Sequence, residues 1–294
     1  PGSPSSDSPT DMSENSRIVE AWNTVLFEKF CRYQNILIEG LGLHGTKLFE
    51  VHPPQPGQKV LDIGCGFGDS SVKLAQIVGP EGSVTAVDCA PNFIAATRER
   101  ADSNQVVVEA LVRDVQEEDL GGPYDAAYSR FGTMFFLSPV RALKNIHKSL
   151  KPGGLLAMSV WRKRQDNPCF YTAQQVVERY IKEEDKDTTQ VTCGPGPFSM
   201  AGPDMVSDML MAAGFSEISF LRFDAPMCMG EDVDRALAMA RDIGPAGESL
   251  RLAAEKAKDQ MPEIDAALRE AIAPFQREDG VWATSSTWLV SAKA

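Results

Sequence analysis

Residues 60–69, VLDIGCGFGD, constrain this chain more than any other stretch. An apolar run reads as a buried strand, glycines at 64, 66 and 68 force a turn, and a helical pattern follows. A turn so rich in glycine tolerates positive φ and lets a ligand lie against the backbone. Twenty residues beyond Gly68, a second apolar run over 83–87 ends in Asp88, where an acid can grip the two hydroxyls of a ribose. Together these features indicate a nucleoside cofactor on a doubly wound sheet. The glycine turn by itself also suits NAD, although it lacks the third glycine of a G-x-G-x-x-G fingerprint.

The rest of the chain continues the alternation. Helical spacing over 14–50 (Val19, Trp22, Leu26, Phe27, Phe30) leads to a proline break at 53–57 and a first strand at 59–63. Helix 70–78, strand 83–87, helix 91–102, strand 106–112, strand 124–128, helix 139–150 and strand 155–161 follow. Then come helix 168–183, helix 203–213, strand 216–223, two or three helices within 231–275 and a last strand at 286–292. Such alternation predicts an α/β fold with a mostly parallel sheet and helices on both faces. Segments 162–200 and 224–280 are too long for ordinary connections and are expected to form a lid over a substrate.

A formal net charge of −12 disfavours nucleic acid as a partner, and Arg162-Lys163-Arg164 is too short a basic cluster to change that. No apolar run approaches the roughly 20 residues of a bilayer span, so no membrane partner is expected. The six cysteines (31, 65, 89, 169, 193, 228) contain no C-x-x-C pair, which fits a reduced, cytoplasmic protein. Residues 1–11 read as a disordered tail or an expression scar. No carboxylate or His–Asp spacing suggests a metal, and the oligomeric expectation is a monomer or homodimer.

In this order the motifs resemble the class I S-adenosylmethionine-dependent methyltransferases, over roughly residues 15–294. Within them, Ser129-Arg-Phe-Gly-Thr-Met-Phe-Phe136 and Gly196-Pro-Phe198 resemble a bacterial small-molecule group related to the quinone-biosynthesis enzymes. The resemblance implies a Rossmann-like seven-stranded sheet with a helical lid and S-adenosylmethionine as cofactor. It divides the chain into an N-terminal lid (12–56), a cofactor-binding core (57–161), a helical insertion (162–215) and C-terminal strands (216–294) with a substrate lid at 231–275. Asp62, Gly64, Cys65, Gly66 and Gly68 then form the nucleotide turn, Asp88 holds the ribose, and Cys89 makes a backbone contact. Asp114 and Val115 flank the adenine, Ser129 and Arg130 lie under the methionine end, and Phe30 and Tyr33 belong to an aromatic lid.

Methyl transfer from a sulfonium is an in-line displacement that needs mainly alignment and exclusion of water. A hydroxyl acceptor also needs a base, and His44, near Gly40 and Gly42, is the one weak candidate. Met200, Met205, Met209, Met211, Met227, Met229 and Met239 suit an adaptable apolar pocket or ordinary core filling. The expected activity is methyl transfer to a small molecule. A binder or cyclase that holds S-adenosylmethionine without spending it, and an NAD-dependent oxidoreductase, stand as alternatives.

Overall fold

The structure, a computed structural model, describes residues 13–187, 189–190 and 192–294, so the expected tail at 1–11 lies outside the described residues. The strands are β1 (Lys59–Ile63), β2 (Ser83–Asp88), β3 (Glu109–Val112), β4 (Tyr124–Arg130), β5 (Leu150–Trp161), β6 (Ser216–Gly230), β7 (Gln276–Arg277) and β8 (Gly280–Lys293). The helices are α1 (Glu14–Asn23), α2 (Val25–Arg32), α3 (Gln34–Val51), α4 (Asp69–Val78), α5 (Pro91–Ser103) and α6 (Pro139–Ser149). They continue as α7 (Pro168–Tyr180), α8 (Pro203–Ala212), α9 (Val233–Asp242), α10 (Gly244–Leu252), α11 (Ala254–Ala257) and α12 (Met261–Ile272). Prolines open α5 to α8 at the first turn, where the missing N–H has no intrahelical partner to lose.

The sheet order is β3-β2-β1-β4-β5-β8-β6, with β7 attached to β8. Strands β1 to β5 run parallel, and β8 lies antiparallel between β5 and β6. The order reverses between β1 and β4, so a crevice opens at the carboxyl ends of these two strands. One face is covered by α3 and α4, where Leu48, Phe49, Leu74 and Val78 bury Val60, Val84 and Tyr128. The other is covered by α6 and α8, where Leu143, Ile146, Val206 and Leu210 bury Leu61, Ile63, Leu156 and Met158.

Two strands are longer than their hydrophobic pattern suggests. The last pair of β5 is Trp161 with Thr287, yet β6 and β8 stay paired to Gly230 and Val281. Residues 224–230 and 280–286 therefore project as a two-stranded ribbon past the carboxyl edge. Pro226 is tolerated because β6 is the sheet's outer strand. The ribbon carries a helical cap in which α7, α9, α10 and α12 pool Val176, Val177, Leu237, Ile243, Leu250, Ile264 and Leu268 with Met227 and Met229.

This arrangement redraws the expected segments. Of the N-terminal residues, α1, α2 and the start of α3 at Ile38 lie over the carboxyl edge, while the end of α3 is core packing. The 162–215 insertion splits, with α7 joining the cap and α8 the sheet. The third strand, expected from 106, starts at Glu109. The methionines do not share one pocket: Met200, Met227, Met229 and Met239 are buried in two separate cores, and Met205 and Met211 are exposed.

Candidate cofactor and acceptor site

The glycine turn is built by close approach. Gly64, at φ +66°, touches Gly132, so that a Cβ there would stand 2.9 Å from the Gly132 Cα. Gly68, at φ +78°, is pressed as closely on Thr97. Gly66, at φ +54°, has open space where a side chain would be, so its face is free for a ligand. The turn is anchored to β2 by the N–H groups of Gly64 and Cys65, which donate to the Val87 carbonyl at 2.9 and 3.1 Å.

Two carboxyl groups flank it. Asp62 is buried and accepts the hydroxyls of Ser70 (2.8 Å) and Ser71 (2.6 Å); burial pushes its pKa up to about 6. Asp88 accepts the N–H of Gly66 at 3.1 Å and of Ala90 at 3.0 Å, and burial likewise pushes it up to about 6. Both are raised because desolvation outweighs the donors around them. Cys65 and Cys89 have thiols pushed well up by burial, so neither is a thiolate nucleophile.

Asp114 follows β3, where its Oδ1 accepts the Gln116 N–H at 2.9 Å and its Oδ2 accepts the Asn15 amide at 2.5 Å. Helix α1 thus already touches the acid assigned to the adenine. Val115 lies beside it, but its side chain is buried in the sheet core, which leaves only its backbone for a ligand. The Ser129 hydroxyl donates to the Ile63 carbonyl at 2.9 Å and so works as a strut between β4 and β1. Arg130 forms a two-pronged ion pair with Asp69, Nη1 to Oδ2 at 2.7 Å and Nη2 to Oδ1 at 2.8 Å. Gly45 of α3 makes room for it, since a Cβ there would lie 3.0 Å from the Arg130 Cδ.

Two expected residues take other roles. Phe30 joins the aromatic cover, but Tyr33 is buried in the cap-side core with its hydroxyl on Asp242 (2.9 Å) and its ring under Arg235. It contacts the cap instead of the glycine turn. His44 is buried, with Nδ1 2.9 Å from the Thr287 hydroxyl and Nε2 2.7 Å from that of Ser285. Ser285 gives its proton to the Ala225 carbonyl at 2.8 Å, so Nε2 donates. The Thr287 hydroxyl reaches both the Phe223 carbonyl at 3.3 Å and Nδ1 at 2.9 Å, and its one proton on the nearer Nδ1 gives the pattern of a neutral ring. Burial and the Arg130 charge hold its pKa down at about 4. Both nitrogens are engaged and the ring is a poor base, which removes His44 as the catalytic candidate.

Several site residues escaped the sequence reading. Phe67 and Phe93 form an aromatic cover with Trp22, Phe27 and Phe30 above the turn, the Phe27 and Phe93 rings 4.9 Å apart. Helical spacing pointed to Trp22, Phe27 and Phe30, but nothing in it pointed to Phe67 or Phe93. Phe131 adopts φ +61°, rare for a bulky residue, and stacks on Trp161 at 4.4 Å, with Phe170 edge-on to Trp161 at 5.3 Å. These rings stand at the carboxyl ends of β4 and β5 beneath the cap.

A glycine turn after β1, acids ending β2 and following β3, and one antiparallel strand set between β5 and the edge define the class I methyltransferase fold. Residues 60–154 match the family model for a methyltransferase domain. The chain is 35% identical over 126 residues to a 2-phytyl-1,4-naphthoquinone methyltransferase of Nostoc, covering 41% of this chain and 54% of that one. It is 27% identical over 179 residues to a demethylmenaquinone methyltransferase of Listeria welshimeri, covering 57% and 74%. The chain thus spans about half the length of the Nostoc relative. The YcgJ protein of Bacillus subtilis shares the fold at TM-score 0.54 and 15% identity, over 87% of this chain and 97% of that one. Residues 60–154 are thus a methyltransferase domain, similar to that of the S-adenosylmethionine-dependent quinone methyltransferases, and S-adenosylmethionine is the cofactor that such a domain takes. The residues fit that group: Gly66 leaves its face open, and the Asp88 carboxylate stands beside it to accept hydroxyl protons.

Proposed function

We propose that this protein transfers a methyl group to a small molecule held between the carboxyl edge of β4 and β5 and the cap. The observation that carries this reading is the ribbon formed by β6 and β8, which brings the cap over the same edge as the glycine turn. Asp88 would hold the ribose hydroxyls, Asp114 the adenine amino group after Asn15 releases it, and Arg130 the methionine end. Cys65, Cys89 and Val115 would offer backbone. Phe30 and its aromatic neighbours would close over the nucleoside and keep water out.

When bound, S-adenosylmethionine supplies a methyl on a sulfonium, already activated for in-line displacement. The chain's part is to align the acceptor and to dry the site, which Phe131, Trp161 and Phe170 do at the acceptor side. With His44 neutral and engaged, acceptors whose nucleophile needs no strong base suit the site best. The relatives' names make ring acceptors of the naphthoquinone type the first class to screen. The acidic charge disfavours nucleic acid, and the free cysteines fit a cytoplasmic protein; a monomer or homodimer is the expected assembly. Among the described residues no helix is long and apolar enough to cross a membrane. Calorimetry with S-adenosylmethionine should show binding below millimolar, and a metabolite extract should release S-adenosylhomocysteine. Binding without release, across extracts, would leave a holder of the cofactor instead of a transferase.

A further inference from the structure

The cover on the donor side and the cap on the acceptor side meet around Asp242. Helix α2 lies on the glycine turn through Phe27 and Phe30, and its last turn reaches α9. Arg32 Nη1 donates to Asp242 Oδ2 at 2.6 Å, and the Tyr33 hydroxyl donates to the same oxygen at 2.9 Å. Lys29 Nζ donates to the Asp242 carbonyl oxygen at 3.3 Å. Arg235 answers from α9: its guanidinium sits 4.6 Å above the Tyr33 ring and donates to the Arg32 carbonyl at 2.8 Å. Tyr33 is only 2% exposed, so its bond to the carboxylate is shielded, while Arg32 stays open to solvent.

We propose that Asp242 is a positioning residue that fastens the donor cover to the acceptor cap, so that the two open and close as a unit. This rests on the function proposed above. The donor can exchange only when α1 and α2 lift, because Asn15 sits on Asp114 and the aromatic rings sit over the turn. The acceptor can exchange only when the cap lifts from Phe131 and Trp161. A shared fastening makes one motion of both, and donor bound on one side then stiffens the cap on the other. Linkage requires the reverse as well: a filled acceptor site slows loss of the donor.

The test uses S-adenosylhomocysteine as probe with the full chain, Asp242→Asn and Tyr33→Phe. The phenylalanine keeps the ring under Arg235 and removes only the hydroxyl. In the unaltered chain, saturating probe should slow amide exchange in 14–32 and also in 233–252. Both variants should keep the first effect and lose the second, with probe dissociation faster by about tenfold. If the variants keep the slowing at 233–252, or the unaltered chain never shows it despite binding, the fastening is refuted. Failure of the unaltered chain to bind the probe instead refutes the cofactor site on which the idea stands. Should Asp242→Asn not fold, Tyr33→Phe decides alone.

Discussion

Asp62 and Asp88, on either side of the glycine turn, are each held at about 6 by burial. An unfolded aspartate titrates near 3.9. The folded, donor-free chain therefore binds more protons than the unfolded chain between about pH 4 and 6, and each group's contribution to stability falls as pH rises through that window. The loss is on the order of 2–3 kcal/mol per group. Urea unfolding at pH 4.5 and 6.5 should show it, with a flatter slope in Asp62→Asn. Donor binding in the proposed mode runs the other way, because Asp88 would have to be ionised to accept two ribose hydroxyls: affinity should weaken below about pH 6. Asp88→Asn should cost roughly tenfold to a hundredfold at pH 7.5 by calorimetry. Gly64→Ala is a backbone test, since φ +66° and the touch on Gly132 leave no room for a methyl. It should lose at least about 1–3 kcal/mol of stability by denaturant titration, with donor binding weakened further.

At the scale of elements, α3 is held to the ribbon by His44, whose two nitrogens reach Ser285 and Thr287 of β8. His44→Ala should lower stability by about 2–4 kcal/mol, through two lost buried hydrogen bonds and a cavity. With its pKa near 4, His44 stays neutral from pH 5.5 upward. A His44→Gln variant, which can keep both bonds, should leave the pH–rate profile unchanged between 6 and 9; a lost ionisation near 7 would restore the catalytic role. Strands β1, β2 and β4 and helices α4 to α6 were legible because each buries one face or is punctuated by Gly or Pro. The ribbon was not, because residues 224–230 and 280–286 pair with each other and with the two-residue β7, beyond the end of β5, and Pro226 reads as a break. Tyr33 was misplaced for a related reason. Helical spacing gives the face a side chain occupies, and only the position of α9 decides what lies opposite that face.

Across the whole molecule, the sheet and the cap bury separate apolar clusters, bridged by few side chains such as Leu41 and Phe170. Separate clusters open separately. Amide exchange on the donor-free chain should find β1, β4 and β5 the most protected, and α9 to α12 opening at a free energy lower by about 2 kcal/mol or more. Equal protection throughout would mean one cooperative unit. The class of chemistry followed from the family that the motifs resemble; the sequence by itself determined the glycine turn, the positions of Asp62 and Asp88 beside it and the parallel core. Those depend on local backbone demands and short-range periodicity, which residue order states directly. Only the tertiary structure decided that His44 is a neutral pin, that Asp114 already holds Asn15, that Phe131 is turned onto Trp161, and that the cap and donor cover share Asp242. Each of these joins residues far apart in the chain, and such contacts exist only once the sheet has set the distance between them.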